Sequence, residues 1–260
     1  MRPGIVAAMV AEARILAKGS IAAGEWTHLP EGAMLILSGI GPNRARLATQ
    51  TLLENGATAL VSWGFAGGLG PGLSPGSLIL PETIIAADQS LYYVDPVWHE
   101  RLSSQLKKYV DFYKGSLAES TAVLAICAEK AILFHRTGAI AVDMESASIA
   151  AIAKEAGVPF MVIRAITDPA EMAIPRCALN SIDEFGRVRL SRLLRRLARR
   201  PGELLALVRL GRNYRIARAS LATVALHARS NLLCPPGPAR MKAAGRGSMT
   251  LPVVRKGENS

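Results

Sequence analysis

The chain has three cysteines, Cys127, Cys177 and Cys234, too few and too widely spaced for a disulfide framework. A set of this kind points to a reducing compartment. The four histidines, His28, His99, His135 and His227, stand far apart, and no metal-ligand spacing is visible. Aromatic residues make up only 5% of the chain, so Ala, Leu, Ile and Val must fill the core that a 50% hydrophobic content supports. No uncharged run is long enough to cross a bilayer. Glu12 and Arg14 interrupt the first apolar run, which does not fit a secretory signal. These absences set the expectation of a cytoplasmic protein without a metal. There is no internal repeat.

Acidic residues are scarce in one part of the chain only. Residues 1–185 hold 14 Lys and Arg against 18 Asp and Glu, a mildly acidic body. Residues 186–230 hold 12 Arg against Glu203 alone. Residues 231–260 hold five basic residues against Glu258, with Pro235-Pro236 and small polar residues, and read as a disordered tail. The expected organisation is a catalytic domain over 1–185, a basic amphipathic helical extension over 186–230 and the tail.

The stretch from Ala139 to Glu171 organises the rest. Ala139–Val142 is an apolar run of strand length. Ile149, Ile152, Ala153 and Ala156 recur at helical spacing, and Gly157 and Pro159 close the helix. Phe160–Ile166 is a second strand-like run. Strand, helix and strand with short joints predict a βαβ unit with parallel strands. Glu145 and Asp168 then lie past the two strand ends, on the rim where open α/β sheets bind ligands. Two such carboxylates can divide the work of holding hydroxyls and donating a proton. On spacing alone they equally fit a helix-dipole partner and a turn cap.

Val142-Asp-Met-Glu-Ser146 followed by Val162-Ile-Arg-Ala-Ile-Thr-Asp168 resembles the signature of the nucleoside phosphorylase and nucleosidase superfamily. The resemblance runs over about residues 4 to 170 and is nearest to methylthioadenosine/S-adenosylhomocysteine nucleosidases. It implies a three-layer α/β fold with a twisted, mixed, mostly parallel sheet. It also implies that Met144 packs on a ribose, that Glu145 binds its 2′ and 3′ hydroxyls, and that Asp168 protonates N7 of a purine.

Gly4–Met9 reads as a buried strand, and Glu12 follows it at the place where the nucleosidases carry a water-activating Glu. The alternative is a solvated acid in a first helical turn. The superfamily's phosphorylases carry a phosphate-gripping Arg after this strand, and none occurs between Met9 and Glu12. Ala33–Ser38 is a strand, and Gly39-Ile-Gly-Pro42 turns into a helix ending near Glu54. Arg44 takes the third Gly place of a dinucleotide fingerprint, so that motif fails. Ala59–Trp63 leads to Gly64, Phe65, Ala66, Gly67 and Gly68, which resemble the family's ribose-side segment. The family has Ser or Thr where this chain has Phe65. Tyr92–Trp98 reads as an aromatic lid or subunit contact. Ala122–Ile126 reads as a strand, and Cys127–Lys130 as a shortened base-contacting loop. Arg164, late in the second strand, is expected to bind the substrate and to stabilise Asp168 or a nucleophile.

After Arg187, Leu190, Leu193, Leu194 and Leu197 recur at helical spacing among arginines. Pro201-Gly202 breaks that helix, and further helices cover Leu204–Leu210 and Tyr214–His227. Such helices pack on a sheet, lie on anionic membranes or bind nucleic acid.

The function expected from the resemblance is cleavage of the N-glycosidic bond of an adenine-type nucleoside. No cofactor is implied, and phosphate is the co-substrate if the reaction is phosphorolytic. Phe65 and the missing Arg favour water. The alternatives are a methylthioadenosine/S-adenosylhomocysteine nucleosidase, a general purine nucleoside phosphorylase, and a non-catalytic nucleic-acid-binding protein. The Ala-Val-Asp-Met-Glu-Ser segment and the basic C-terminus also resemble the hopanoid-associated phosphorylases. That branch implies an adenosyl-lipid substrate such as adenosylhopane and a peripheral place at the inner membrane face. The expected partners are a small purine nucleoside and further copies of the chain, with no nucleic acid.

Overall fold

The computed structural model describes residues 1–227 apart from Lys18 and Ser20, so the expected tail over 231–260 lies outside the described residues. The sheet is built on two long parallel strands, Ala59–Gly68 (β4) and Phe160–Asp168 (β11). Both are almost continuously apolar and buried on both faces, as central strands must be. One edge of β4 carries Pro3–Ala7 (β1), followed outward by Met34–Leu37 (β3) and Trp26–His28 (β2). Beyond β11 come Leu78–Ile79 (β5) and Phe112–Tyr113 (β8). A second arm leaves the far end of β4 through Ala141–Asp143 (β10), Ser116–Glu119 (β9), Thr83–Ile85 (β6) and Leu91–Tyr93 (β7). Parallel pairings outnumber antiparallel ones six to four.

Helices cover both faces, giving the three layers. Pro42–Glu54 (α2) and Ser146–Ala156 (α5) pack together on one side. Val10–Leu16 (α1), Pro96–Leu106 (α3) and Leu204–His227 (α8) pack on the other. Cys127–Thr137 (α4) seats Leu133 against Ile85, Ala118 and Val142 of the second arm. Arg176–Leu179 (α6) and Leu190–Arg199 (α7) precede α8. α5 stops where Gly157 takes a left-handed φ of 64°, the conformation glycine adopts without penalty.

Several expectations need correction. β10 and β11 are not a parallel pair: β10 runs antiparallel to β4, whereas β11 runs parallel to it. Strand–helix–strand spacing carries no information about which third strand lies between the two. The strand expected at Ala122–Ile126 is instead Ser116–Glu119, and Cys127–Lys130 is the first turn of α4 rather than a loop. The expected aromatic lid is a hairpin strand, β7, running into α3, whose Trp98 is fully buried in the core. The two helices expected after Glu203 are one, because Gly211 within α8 does not break it. A boundary at residue 185 also fails to separate core from extension. Ala217, Leu221 and Val224 of α8 sit in the main core cluster, whereas α7 buries no residue at all.

The stability of the body therefore depends on α8. Leu221→Ala should cost about 2–5 kcal/mol by the usual cavity argument. Leu205→Ala, on the 81%-exposed side of the same helix, should change stability by less than about 0.5 kcal/mol. Denaturant unfolding of the two variants checks the contrast.

Candidate active site

The register of β4 creates the site. On one edge β1 pairs with Ala59–Trp63, and β10, arriving from the opposite direction, pairs with Gly67 and Gly68. Gly64, Phe65 and Ala66 are left without a strand partner on that edge. The carboxyl ends of β1 and β10 meet there head to head, and each is followed by a glutamate, Glu12 and Glu145. The two acids thus share a place, although not by the parallel pairing expected.

Glu12 is 2% exposed. Its Oε2 accepts from the Met9 N–H at 2.8 Å and its Oε1 from the Phe65 N–H at 2.8 Å. Burial pushes its pKa up, and Arg164 and the backbone donors oppose the shift. Gly64 is required for this packing: a Cβ there would stand 2.6 Å from Arg164 Nη1 and collide with the Glu12 carboxylate.

Glu145 caps α5 and is also buried. Its Oε1 accepts from the Gly41 N–H at 2.8 Å, so the Gly39–Pro42 turn serves the site by fixing a carboxylate. Burial, then Asp143, pushes the Glu145 pKa up to about 7, against the pull of Arg164. Met144, half-buried beside it, donates its N–H to Glu145 Oε2 at 3.3 Å.

Arg164 lies beneath this pair, 2% exposed. Its Nε and Nη2 donate to Asp143 Oδ2 at 2.7 and 2.6 Å, and Nη2 also donates to Ser62 Oγ at 2.6 Å and Ser146 Oγ at 3.1 Å. Ser146 Oγ in turn donates to Asp143 Oδ2. The expectation that Arg164 contacts a ligand or steadies Asp168 is corrected: it is enclosed, and it is bonded to Asp143 and the two serines. Burial works against its charge, and Asp143, Glu12 and Glu145 together more than offset that effect.

Asp168 ends β11 opposite Gly67, where a bulge shifts the register after Ile166. A Cβ on Gly67 would stand 3.2 Å from Asp168 Oδ2, and one on Gly68 would stand 3.2 Å from Pro169 Cα. Thr167 Oγ1 donates to Asp168 Oδ1 at 2.6 Å, and Lys130 Nζ donates to Oδ2 at 2.6 Å. Burial raises the Asp168 pKa, and Lys130 is the main opposing influence. No role was assigned to Lys130 from the sequence. Its signal was a cation in line with Leu133, Phe134 and Thr137, on the apolar stripe of α4.

Phe65 packs its ring on Tyr214 of α8 at 4.8 Å, and Ala66 beside it is buried. Burial, then Glu12, pushes the Tyr214 hydroxyl up to about 12. The wall above Glu12 is therefore apolar and α8 closes it. Together the groups offer an enclosed carboxylate beside a backbone-lined strand, a second carboxylate on a helix cap, and a third paired to an ammonium.

Comparison with known proteins follows this geometry. A family model described as the phosphorylase superfamily matches residues 16–199. The 5′-methylthioadenosine/S-adenosylhomocysteine nucleosidase of Baumannia cicadellinicola is 32% identical over 170 residues, covering 56% of this chain and 72% of the relative. The futalosine hydrolase of Streptomyces coelicolor is 30% identical over 163 residues, covering 55% and 69%. A solved 5′-methylthioadenosine/S-adenosylhomocysteine nucleosidase from Neisseria meningitidis, in complex with methylthio-immucillin-A, superposes with a TM-score of 0.65. It has 19% identity and covers 87% of this chain and 97% of that one.

Glu145 makes stability depend on pH. Its folded pKa of about 7 exceeds the ordinary 4.5. The folded state therefore binds this proton more tightly than the unfolded state. Its stabilising contribution is full below about 4.5 and is lost as the pH rises through about 7. Unfolding free energy should fall over that window by on the order of 1–3 kcal/mol, and Glu145→Gln should flatten the fall. Denaturant titrations at several pH values check both.

Proposed function

The chain belongs to the phosphorylase superfamily, and from that premise we propose that it hydrolyses the N-glycosidic bond of an adenine-type purine nucleoside. The observation that carries this reading is the convergence of Glu12, Glu145 and Asp168 on the glycine-rich end of β4. In the reaction the C1′–N9 bond breaks as Asp168 gives its proton to N7, so that the base leaves neutral. Glu145 holds the ribose hydroxyls and Met144 packs on the sugar. The backbone at Gly64, Gly67 and Gly68 can lie close to the sugar because these residues carry no side chain. The ribosyl group acquires oxocarbenium character, and the carboxylates favour that positive charge. Glu12 orients a water and takes its proton as the new C1′–O bond forms.

Water is preferred over phosphate on electrostatic grounds. Three carboxylates, Glu12, Asp143 and Glu145, surround the one guanidinium of Arg164, which is already bonded. Asp143, Ser62 and Ser146 already take its Nε and Nη2 donors, which leaves little of this cation for a phosphate dianion. Phe65 adds no hydroxyl to receive it. Adenine release from methylthioadenosine or another adenine nucleoside should proceed without phosphate, and Asp168→Asn should slow it by about 10²–10⁴-fold. Release that vanishes on removing phosphate and returns with it would replace hydrolysis by phosphorolysis.

A finer reading concerns the 5′ substituent. The relatives' names offer methylthioadenosine, S-adenosylhomocysteine and futalosine as competitors. We favour an adenosyl lipid of the hopanoid type, with the protein in peripheral contact with a membrane. Three observations support this. Phe65 and Tyr214 form an apolar wall at the site. On α7, which buries nothing, Leu190 and Leu194 are 67% and 63% exposed. Four arginines, Arg176, Arg196, Arg199 and Arg200, line a cleft of about 350 Å³ between α6 and α7, and such forks suit lipid phosphates. Among the described residues no helix is long and apolar enough to cross a membrane. The full chain should co-sediment with phosphatidylglycerol vesicles at low salt, and Leu190→Ser with Leu194→Ser should weaken this without altering cleavage of a short nucleoside. Equal binding to neutral vesicles, or none to either, sinks the membrane reading.

A further inference from the structure

Lys130 is fully buried, one of the largest side chains in the protein with no exposure. Burying an ammonium is costly unless every proton finds a partner. Lys130 Nζ has four: Asp168 Oδ2 at 2.6 Å, and the carbonyl oxygens of Asp168 and Pro169 at 2.9 Å and of Met172 at 3.1 Å. An ammonium has three protons, so one is shared. Three of the four acceptors are backbone atoms of the turn that follows β11. The cation is the hub of that turn, and it reaches it from α4, 38 residues earlier in the chain.

The arrangement is asymmetric at the carboxyl group. Oδ2 faces the ammonium. Oδ1 faces the Thr167 hydroxyl at 2.6 Å, a group that can donate or accept. A proton on Oδ2 would point at another donor. A proton on Oδ1 would not, and Thr167 could still donate to that oxygen's second lone pair. The other charged groups of these elements do not compete for Asp168. Glu129 is exposed, and its carboxylate accepts from the Ala125 and Ile126 N–H groups. His135 and Arg136 of α4 and Glu171 in the turn are exposed as well.

We propose that Lys130 is the positioning residue of the acid: it anchors Asp168 by Oδ2, confines the transferable proton to Oδ1, and pairs with the carboxylate left after that proton passes to the base. The proposal rests on the nucleosidase reading for its chemistry, but not for its geometry. The proton balance is closed. Asp168 Oδ1–H loses its proton to N7, the purine departs neutral, and the Lys130 ammonium keeps all of its own protons. Burial raises the Asp168 pKa, while a cation beside the conjugate base makes the acid give up its proton more readily. The two influences oppose one another on one group, as a general acid working near neutral pH requires.

Lys130→Met removes the cation and keeps the length of the side chain. The carboxyl group of Asp168, followed by carbon-13 NMR in the ligand-free protein, should then titrate roughly one to three pH units higher than in the wild type. The alkaline limb of kcat/KM for adenine release should rise with it, while kcat on the plateau falls. An unchanged Asp168 titration in a folded variant overturns the proposal, whatever the activity. A wild-type protein that releases no base from any nucleoside defeats the functional reading instead, and the NMR titration still decides the claim about Lys130. Should Lys130→Met fail to fold, Lys130→Ala with added ethylamine supplies the cation without its tether. A limb that returns towards the wild-type position as amine is added supports the proposal, and one indifferent to amine overturns it.

Discussion

The guanidinium of Arg164 is the group on which the rest of the site depends. It is enclosed, and three carboxylates act on it. Without a cation at this depth, Glu12, Asp143 and Glu145 would repel one another in a medium that screens poorly. With it, Asp143 pairs with the guanidinium at 2.6 Å, and the glutamates remain near a positive charge without being bonded to it. Removing one member of such a buried pair is far more damaging than exchanging both. Ser62 and Ser146 complete the arrangement by bonding to the guanidinium and to each other. The ion pair is a foundation laid beside Glu12 and Glu145, which both feel its charge.

The backbone meets the same constraint from the other side. The end of β4 must pass between a buried carboxylate and a buried guanidinium, and only a residue without Cβ fits at Gly64. Two strands entering from opposite ends leave a short edge of β4 unpaired, and those N–H groups become available. Phe65 spends its own on Glu12. The sheet defect and the carboxylate are thus one feature described from two directions.

The long elements were legible in the sequence for simple reasons. Pro42 at a helix start, Asn55-Gly56 past its end and the apolar runs of β4 and β11 are local signals, and the elements start where those signals put them, although β4 runs on through Gly68, past the end expected at Trp63. The Met-Glu pair and the Asp after β11 were visible as a pattern, and the structure gathers Glu12, Glu145 and Asp168 around β4. What could not be read was which strands neighbour one another. β10 is three residues long, and its direction is set by contacts with Gly67 and Gly68, more than 70 residues away. Arg164 was misassigned because a cation at a strand end reads as a ligand contact, whereas its partner Asp143 lies on a different strand. Lys130 was passed over because Cys127–Lys130 reads as a loop, where a single lysine is usually solvated. α8 was divided because Gly211 and the run of arginines resemble a boundary, and only packing on β11 shows that they are not.

The contact between Phe65 and Tyr214 has a consequence for the order of events during folding. The Glu12 carboxylate is bound through the N–H of Phe65, and Phe65 is covered by a ring almost 150 residues further along the chain. Pairings of such long sequence separation form late, because the entropy of closing the intervening loop must be lost first. A nascent chain that has emerged only as far as β11 already holds Glu12, Glu145, Arg164 and Asp168, but not the helix whose Tyr214 covers Phe65. Until α8 arrives, the wall beside Glu12 lacks that ring. Closure on this side of the site is therefore a property of the finished fold and has no counterpart in its partly made stages.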